Sequence, residues 1–217
     1  MGNSKNMLKK WGNPFLVLVI ILSLCFPAMA EEDPIGEVDG NIYTNSVFGF
    51  QMVLPDNWHF LNDLELAQRM DYSVDYASRE GLARLLKEKT AACCMMATTE
   101  DDPNSTVHLM VQDLGLYRYL DEQTFFNAIK EGLSNALTSL GFADVKTSQQ
   151  TFRLADKEYV VLDAEGTTNN ITEHSLFMYF ISDNVMGVLT IKTSSQENAI
   201  AILDFLQPLE GNCTPNI

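Results

Sequence analysis

Outside its first thirty residues, this 217-residue sequence places few side chains that could do covalent or metal-dependent chemistry: His59, His108, His174, Cys93, Cys94 and Cys213. The histidines show no H-x-x-x-H spacing and the cysteines no C-x-x-C, so no transition-metal site is read. His59 follows Trp58 in a strand-like run and is expected to be a satisfied structural residue. The sharpest catalytic pattern pairs Cys94 with His108. If the chain turns near Asp102, His108 comes within a residue or two of facing Cys94, and an imidazole beside a thiol lowers the thiol pKa. No Gly-rich or helix-start segment flanks the pair to build an oxyanion hole. A secreted cysteine-dependent enzyme using Cys94 and His108 is therefore the alternative reading, and no catalytic, cofactor-binding or metal-binding residue is assigned. Glu100-Asp101-Asp102 with Asn104 offers hard oxygen ligands for calcium, but it lacks the D-x-[DN]-x-[DN]-G order and a downstream Glu in register. A solvated turn is expected there.

The elements that must position these groups follow from periodicity. Ala91 to Thr99 (A-A-C-C-M-M-A-T-T) reads as a buried strand, Glu100 to Asn104 as a turn, and Val107 to Gln112 as the hairpin partner. Neighbouring side chains on a strand point to opposite faces, so Cys93 and Cys94 are expected to diverge. Upstream, Asn62 to Lys89 is helical and charged. Leu64, Leu66, Ala67 and Met70 recur at helix spacing, as do Leu82, Leu85 and Leu86, with a break over Asp71 to Ser78. Asp121 to Leu140 is the clearest helix. Asp121 is its N-cap, Phe125, Ile129, Leu133, Leu137 and Leu140 form its stripe, and Gly141 stops it. Three strands follow: Thr151 to Leu154 leading through Ala155-Asp156-Lys157 to Tyr159 to Ala164, then Ser175 to Ile181, then Val185 to Ile191. Gly166 to Thr172 is read as a loop and Ser182-Asp183-Asn184 as a turn. A last helix opens on a capping box, Ser194-x-x-Glu197, buries Ile200, Leu203 and Leu206 with Ile202 alongside, and ends at Pro208. Short links between consecutive strands make the sheet antiparallel, with helices covering its faces, an α+β layered sandwich.

Compartment is read from the first thirty residues. Lys5, Lys9 and Lys10 precede the apolar run Phe15 to Phe26, and Pro27 precedes the small-residue site Ala28-Met29-Ala30, the pattern of an export signal. Residues 11 to 30 carry no charge and would just span a bilayer if retained; Pro27 and the A-M-A site favour cleavage before Glu31. Leu24 before Cys25 disfavours a lipoprotein, and Asn6 disfavours myristoylation at Gly2. Removing 30 residues leaves 187 and takes away three of 14 basic residues and none of 29 acids, so 11 stand against 29 and the formal charge falls from −15 to −18. Such a surface repels nucleic acid and anionic headgroups. Residues 31 to 41 are expected to be an acidic tether, 42 to 210 the domain, and 211 to 217 a tail. Two arrangements of the thiols stand open: a bridge from Cys213 to Cys93 or Cys94, or three unbridged thiols. The sequons at Asn104, Asn170 and Asn212 matter only in a eukaryotic secretory route.

Tyr43 to Trp58 (Y-T-N-S-V-F-G-F-Q-M-V-L-P-D-N-W) is the best-patterned stretch. Phe48, Phe50, Met52 and Leu54 alternate with Gly49, Gln51 and Val53, then Pro55-Asp56-Asn57 breaks the ladder before Trp58. Tyr43, Asn45, Gly49-Phe50, Pro55 and Trp58 give a Y-x-N…G-F…P-x-x-W pattern that resembles the first strands of the PsbP-like family. That fold is shared by extrinsic photosystem proteins, a Ran-binding nuclear-transport factor and exported bacterial proteins. The resemblance implies an antiparallel sheet between helices, a PsbP-like α/β/α sandwich, and a binding role without catalysis or cofactor. The resulting expectation is a secreted or envelope docking protein whose partner is rich in Lys or Arg, or a cationic ligand. It carries no nucleic acid and no stable membrane anchor after cleavage. A purely structural envelope component is the third reading.

Overall fold

The structure, a computed structural model, describes residues 34–102, 104–119, 122–168, 171–182 and 184–209. The expected signal segment, the Asp121 cap and Cys213 lie outside the described residues. In chain order the elements are β1 Glu37–Asp39, β2 Ile42–Asn45, β3 Phe50–Val53, β4 Trp58–Phe60, α1 Asp63–Arg69, a 3-10 turn Val74–Tyr76, and α2 Arg79–Lys89. Next come β5 Ala91–Thr99, β6 Thr106–Asp113, a second 3-10 turn Gly115–Tyr119, and α3 Glu122–Ser139. The chain closes with β7 Ala143–Leu154, β8 Lys157–Thr168, β9 Ile171–Ser182, β10 Val185–Thr193, α4 Gln196–Leu203 and β11 Leu206–Pro208. This is an α+β fold with antiparallel pairing throughout, in two sheets ordered β4-β5-β6-β10-β9-β8-β7 and β1-β2-β3-β11.

The second, four-stranded sheet is the main departure from the single layered sheet expected. Tyr43 to Leu54 is not one strand: Gly49, at φ 73, turns the chain so that β3 folds back on β2. The alternation itself holds within β3, with Phe50 and Met52 buried and Gln51 and Val53 half-buried. Glu37–Asp39, inside the stretch read as a tether, pairs with β2, and Ile35 is fully buried. At the other end of the chain, Leu206 pairs with Met52 as part of β11 and does not belong to the last helix. Apolar period alone did not separate a helix end from a strand start three residues on.

Both faces of the long sheet are covered, which is why β9 is apolar at every position from Leu176 to Ile181. Leu176, Met178 and Phe180 face the small sheet, where Phe180 stacks on Phe50 at 4.5 Å and lies 5.8 Å from Phe48. Phe177 and Tyr179 face the other way, joining Leu162, Ala164, Met186 and Val188 against Phe125, Phe126, Ile129, Leu133 and Leu137 of α3. That stripe is the one read from the sequence, although Leu140 lies beyond the helix and is half-buried. Trp58 is buried at the edge of the first cluster, edge-on to Phe205 with centroids 5.9 Å apart, and not on α3.

Smaller corrections have local causes. α1 starts on a capping box, Asn62 with Glu65, which turns Leu64 to solvent at 49% exposure. α4 is capped by Ser195, whose side chain accepts from Asn198 N, so Ile200 faces outward and Ala199, Ile202 and Leu203 are buried. β7 begins at Ala143 rather than Thr151, a polar edge strand whose single neighbour removes the need for an apolar pattern. β8 and β9 run on through most of the supposed 166–172 loop, with Thr168 paired to Ile171.

Candidate functional site

The Cys94–His108 pair is assembled poorly for catalysis. His108 pairs across the ladder with Met96, while the register slips between Cys93 and Met95, leaving Cys94 in a bulge. Both cysteines are fully buried. Burial pushes the Cys93 thiol up to about 12, only partly offset by the Met95 carbonyl and Arg79. Burial, helped by the Lys192 charge, pulls His108 down to about 4. A base this weak is a poor acceptor for a thiol proton near neutral pH.

The bulge has a structural use. β4 pairs only with Thr98, Thr99 and Ala97, so the outer edge of β5 is uncovered at Cys93 and Cys94. The Tyr72 hydroxyl accepts from Cys93 N at 3.1 Å, and Arg79 donates to the Cys94 carbonyl at 2.6 Å. Arg79 is held in turn by Asp63 at 2.8 Å. Side chains from the α1–α2 region thus complete the hydrogen bonding that a further strand would have supplied.

His59 is exposed on β4, not the satisfied structural residue expected. His174 faces Glu165, with Nδ1 to Oε2 at 3.8 Å, and Glu165 is held by Lys146 at 2.8 Å. Nearby, Asp163 accepts from Gln196 of α4, and burial raises its carboxyl above the ordinary value. Among the described residues no group of three or more His, Cys, Asp and Glu is placed to hold a metal ion.

A surface emerges instead at one end of the long sheet, where the β3–β4, β5–β6 and β10–α4 connections meet. Asn57 Nδ2 donates to Asp101 Oδ2 at 2.7 Å, and Thr99 Oγ1 donates to the Asn57 carbonyl at 2.7 Å. Asp102 is the hub. Its Oδ1 accepts from Asn104 N at 3.1 Å, and its Oδ2 accepts from Ser105 Oγ at 2.7 Å and Ser194 Oγ at 3.3 Å. The Ser105 hydroxyl is the main reason the Asp102 carboxyl sits below its ordinary value. With Asp102 spent on holding the loops, Asp56, Glu100, Asp101 and Glu197 are left exposed around it. The calcium reading of Glu100 to Asn104 fits this wiring badly, because the Asp102 oxygens already accept three donors. Sequence reading found the acids but not their assembly: Ser194 lies 92 positions from Asp102 and Asn57 44 from Asp101, beyond any local signal.

No family model matches this chain, and no curated protein matches it. Solved structures that it resembles include the solution structure of cyanobacterial PsbP (CyanoP) from Synechocystis sp. PCC 6803, at 8% identity and TM-score 0.46 over 84% of this chain and 98% of that one. LpqN, involved in cell envelope biogenesis of Mycobacterium tuberculosis, is 13% identical over 72% of this chain and 76% of its own, with TM-score 0.38. The apo immunity protein TplEi of the T6SS from Pseudomonas aeruginosa is 9% identical over 74% and 94%, with TM-score 0.41. At these identities and TM-scores the likeness assigns no residue a role.

Proposed function

We propose that this chain is an exported docking protein that binds a Lys- or Arg-rich partner through its acidic loop end and turns over no substrate. The observation that carries the reading is the exposed set Asp56, Glu100 and Asp101 on two loops, with Glu197 in the first turn of α4, at the end where Asp102 and Asn57 tie the connections together. Carboxylates on loops fixed beforehand present their charge without the ordering cost that mobile loops bring to an interface. Their field speeds encounter with a cationic surface and makes the on-rate fall as salt rises.

Export rests on the residue 1 to 30 segment, with the secreted chain starting at Glu31 and residues 211 to 217 a tail. Intact mass of the protein from its native host tests that start directly; a retained segment of residues 1 to 30 refutes it. Docking is tested by binding to envelope extracts at low and high salt, with Glu100→Lys/Asp56→Lys beside Cys94→Ala/His108→Ala. The reading expects salt-sensitive binding that the first variant loses and the second keeps. A hydrolytic activity that vanishes in the second variant overturns it in favour of the cysteine enzyme.

A further inference from the structure

The two ends of the long sheet differ in chemistry. β6 starts at the acidic end and finishes at Asp113, which pairs with Val185 just after the β9–β10 turn. The 3-10 turn Gly115–Tyr119 therefore sits at the opposite end from the acidic loops, tied there by Leu114 N donating to the Asn184 carbonyl at 2.7 Å. At this end Arg118 is exposed but ordered. One guanidinium nitrogen donates to Asn184 Oδ1 at 3.0 Å and another to the Tyr119 hydroxyl at 2.9 Å, with the guanidinium carbon 4.9 Å from the Tyr119 ring centroid. Both acceptors are neutral, and none of the ion pairs among the described residues involves Arg118. Tyr119 is 71% exposed, and Ile181, shortly before the same turn, is 39% exposed.

An exposed, preorganised Arg–Tyr pair beside an exposed Ile has the composition of an interface anchor, where Arg and Tyr are over-represented among residues that dominate binding. A positive guanidinium held by neutral acceptors keeps donors for a carboxylate. Further cations stand at the same end: Lys87 and Lys89 at the end of α2, and Arg153 and Lys157 beside the β7–β8 turn, all exposed, with Glu88, Asp156 and Glu158 among them. From β5 to β7 the row spans five strand spacings, about 25 Å, the width of a standard interface patch. The acidic complement lies on the same chain, at the far end of the same strands.

We infer that copies of this chain associate head to tail, with the Arg118–Tyr119 end of one seated on the Asp56, Glu100 and Asp101 loops of the next. The inference rests on the acidic end being a docking face. The two surfaces are different, so the contact is heterologous and, with the faces at opposite ends of the same strands, propagates as an open row unless its rotation closes a ring. Net negative charge opposes the contact only weakly at a distance, since charges farther apart than about 10 Å are largely screened at 0.1 M salt.

The test is sedimentation of the chain as its native host secretes it, across a concentration series at 0.1 M and 0.5 M salt. Wild type is expected to form oligomers whose size grows with concentration at 0.1 M and shrinks at 0.5 M. Arg118→Glu and Glu100→Lys/Asp56→Lys should each weaken self-association by about thirtyfold or more, the level of an interface anchor. Mixed together, the two variants keep one live end each, and their altered ends are opposite in charge, so mixing should restore the association that each has lost alone. A monomeric wild type at 0.1 M, or a mixture that forms no dimer, overturns the inference. A Lys-rich peptide separates this from the docking reading. If wild type and Arg118→Glu bind the peptide but wild type never self-associates, the head-to-tail contact fails and the docking reading stands. If nothing binds and nothing associates, both fail.

Discussion

Residues that stand out in the sequence turn out to hold the fold rather than a site. Tyr43 and Asn45 pin the N-terminal segment: the Tyr43 hydroxyl donates to the Ile35 carbonyl at 2.8 Å, and Asn45 Nδ2 lies 2.9 Å from both the Pro34 carbonyl and the Tyr43 hydroxyl. Asn45 Oδ1 accepts from Phe48 N at 3.0 Å, fixing the turn that Gly49 completes. All of this is buried, so Asn45→Ala strands several partners away from water. Each buried group left unsatisfied costs about 1–3 kcal/mol. A loss of that size or more in the denaturant midpoint is expected; an unchanged midpoint would show that water replaces the amide. Trp58 closes the same cluster, and removing a packed indole costs ~3–5 kcal/mol. Trp58→Ala should therefore melt far below wild type, since Phe205 loses its edge-on ring neighbour as well. The same burial that makes these residues structural disarms Cys93, whose thiol at about 12 should label only as fast as the protein unfolds.

At the scale of elements, close backbone approach decides what the chain tolerates. Gly81 lies in the first turn of α2, and a Cβ there would sit 2.7 Å from Tyr76 Cα and 2.9 Å from the Asp75 carbonyl oxygen. Alanine gains up to about 1 kcal/mol of helix propensity over glycine. Forcing a backbone apart costs about 1–3 kcal/mol, so the clash wins. Gly81→Ala should lower the melting temperature, and a rise would mean that the 3-10 turn at Val74–Tyr76 yields freely. How far sequence reading reached follows the same physics. α3, β5, β6 and the β8 to β10 meander were legible because one or both faces are apolar and the period shows. Two structures were not: the first part of β7, whose polar edge needs no buried face, and the small sheet as a sheet of its own, since its β2–β3 alternation read as one strand and β1 and β11, of three residues each, are too short to carry a period. Its closing strand, β11, comes from the opposite terminus and is specified by packing on β3. The candidate site was half legible: its acids are a run in the sequence, but the hydrogen bonds that turn the run into a fixed surface join segments far apart in the chain.

Across the whole molecule, charge and fold respond to acid at different points, and that separation is testable. The docking charges Asp56, Glu100, Asp101 and Glu197 are exposed carboxylates. Asp102, which ties the loops, is held below its ordinary value, mainly by the Ser105 hydroxyl. A carboxyl whose folded pKa is depressed adds stability that is present above the unfolded value and is lost as pH falls through the folded one. Its window therefore lies below the ordinary carboxylate range. As pH falls, binding to a Lys-rich peptide should weaken first, while the loop hydrogen bonds persist. Only further acidification should loosen the loops. Hydrogen exchange at Asn104 and Ser105, whose amides bond to Asp102, reports the second step, and a titration of peptide binding reports the first. Asp102→Asn should speed exchange at both amides near neutral pH and leave the acid midpoint of peptide binding nearly unchanged. If binding and exchange protection instead collapse together at one pH, the acidic loops are not a surface fixed in advance, and the charge that docks is the same charge that holds the fold.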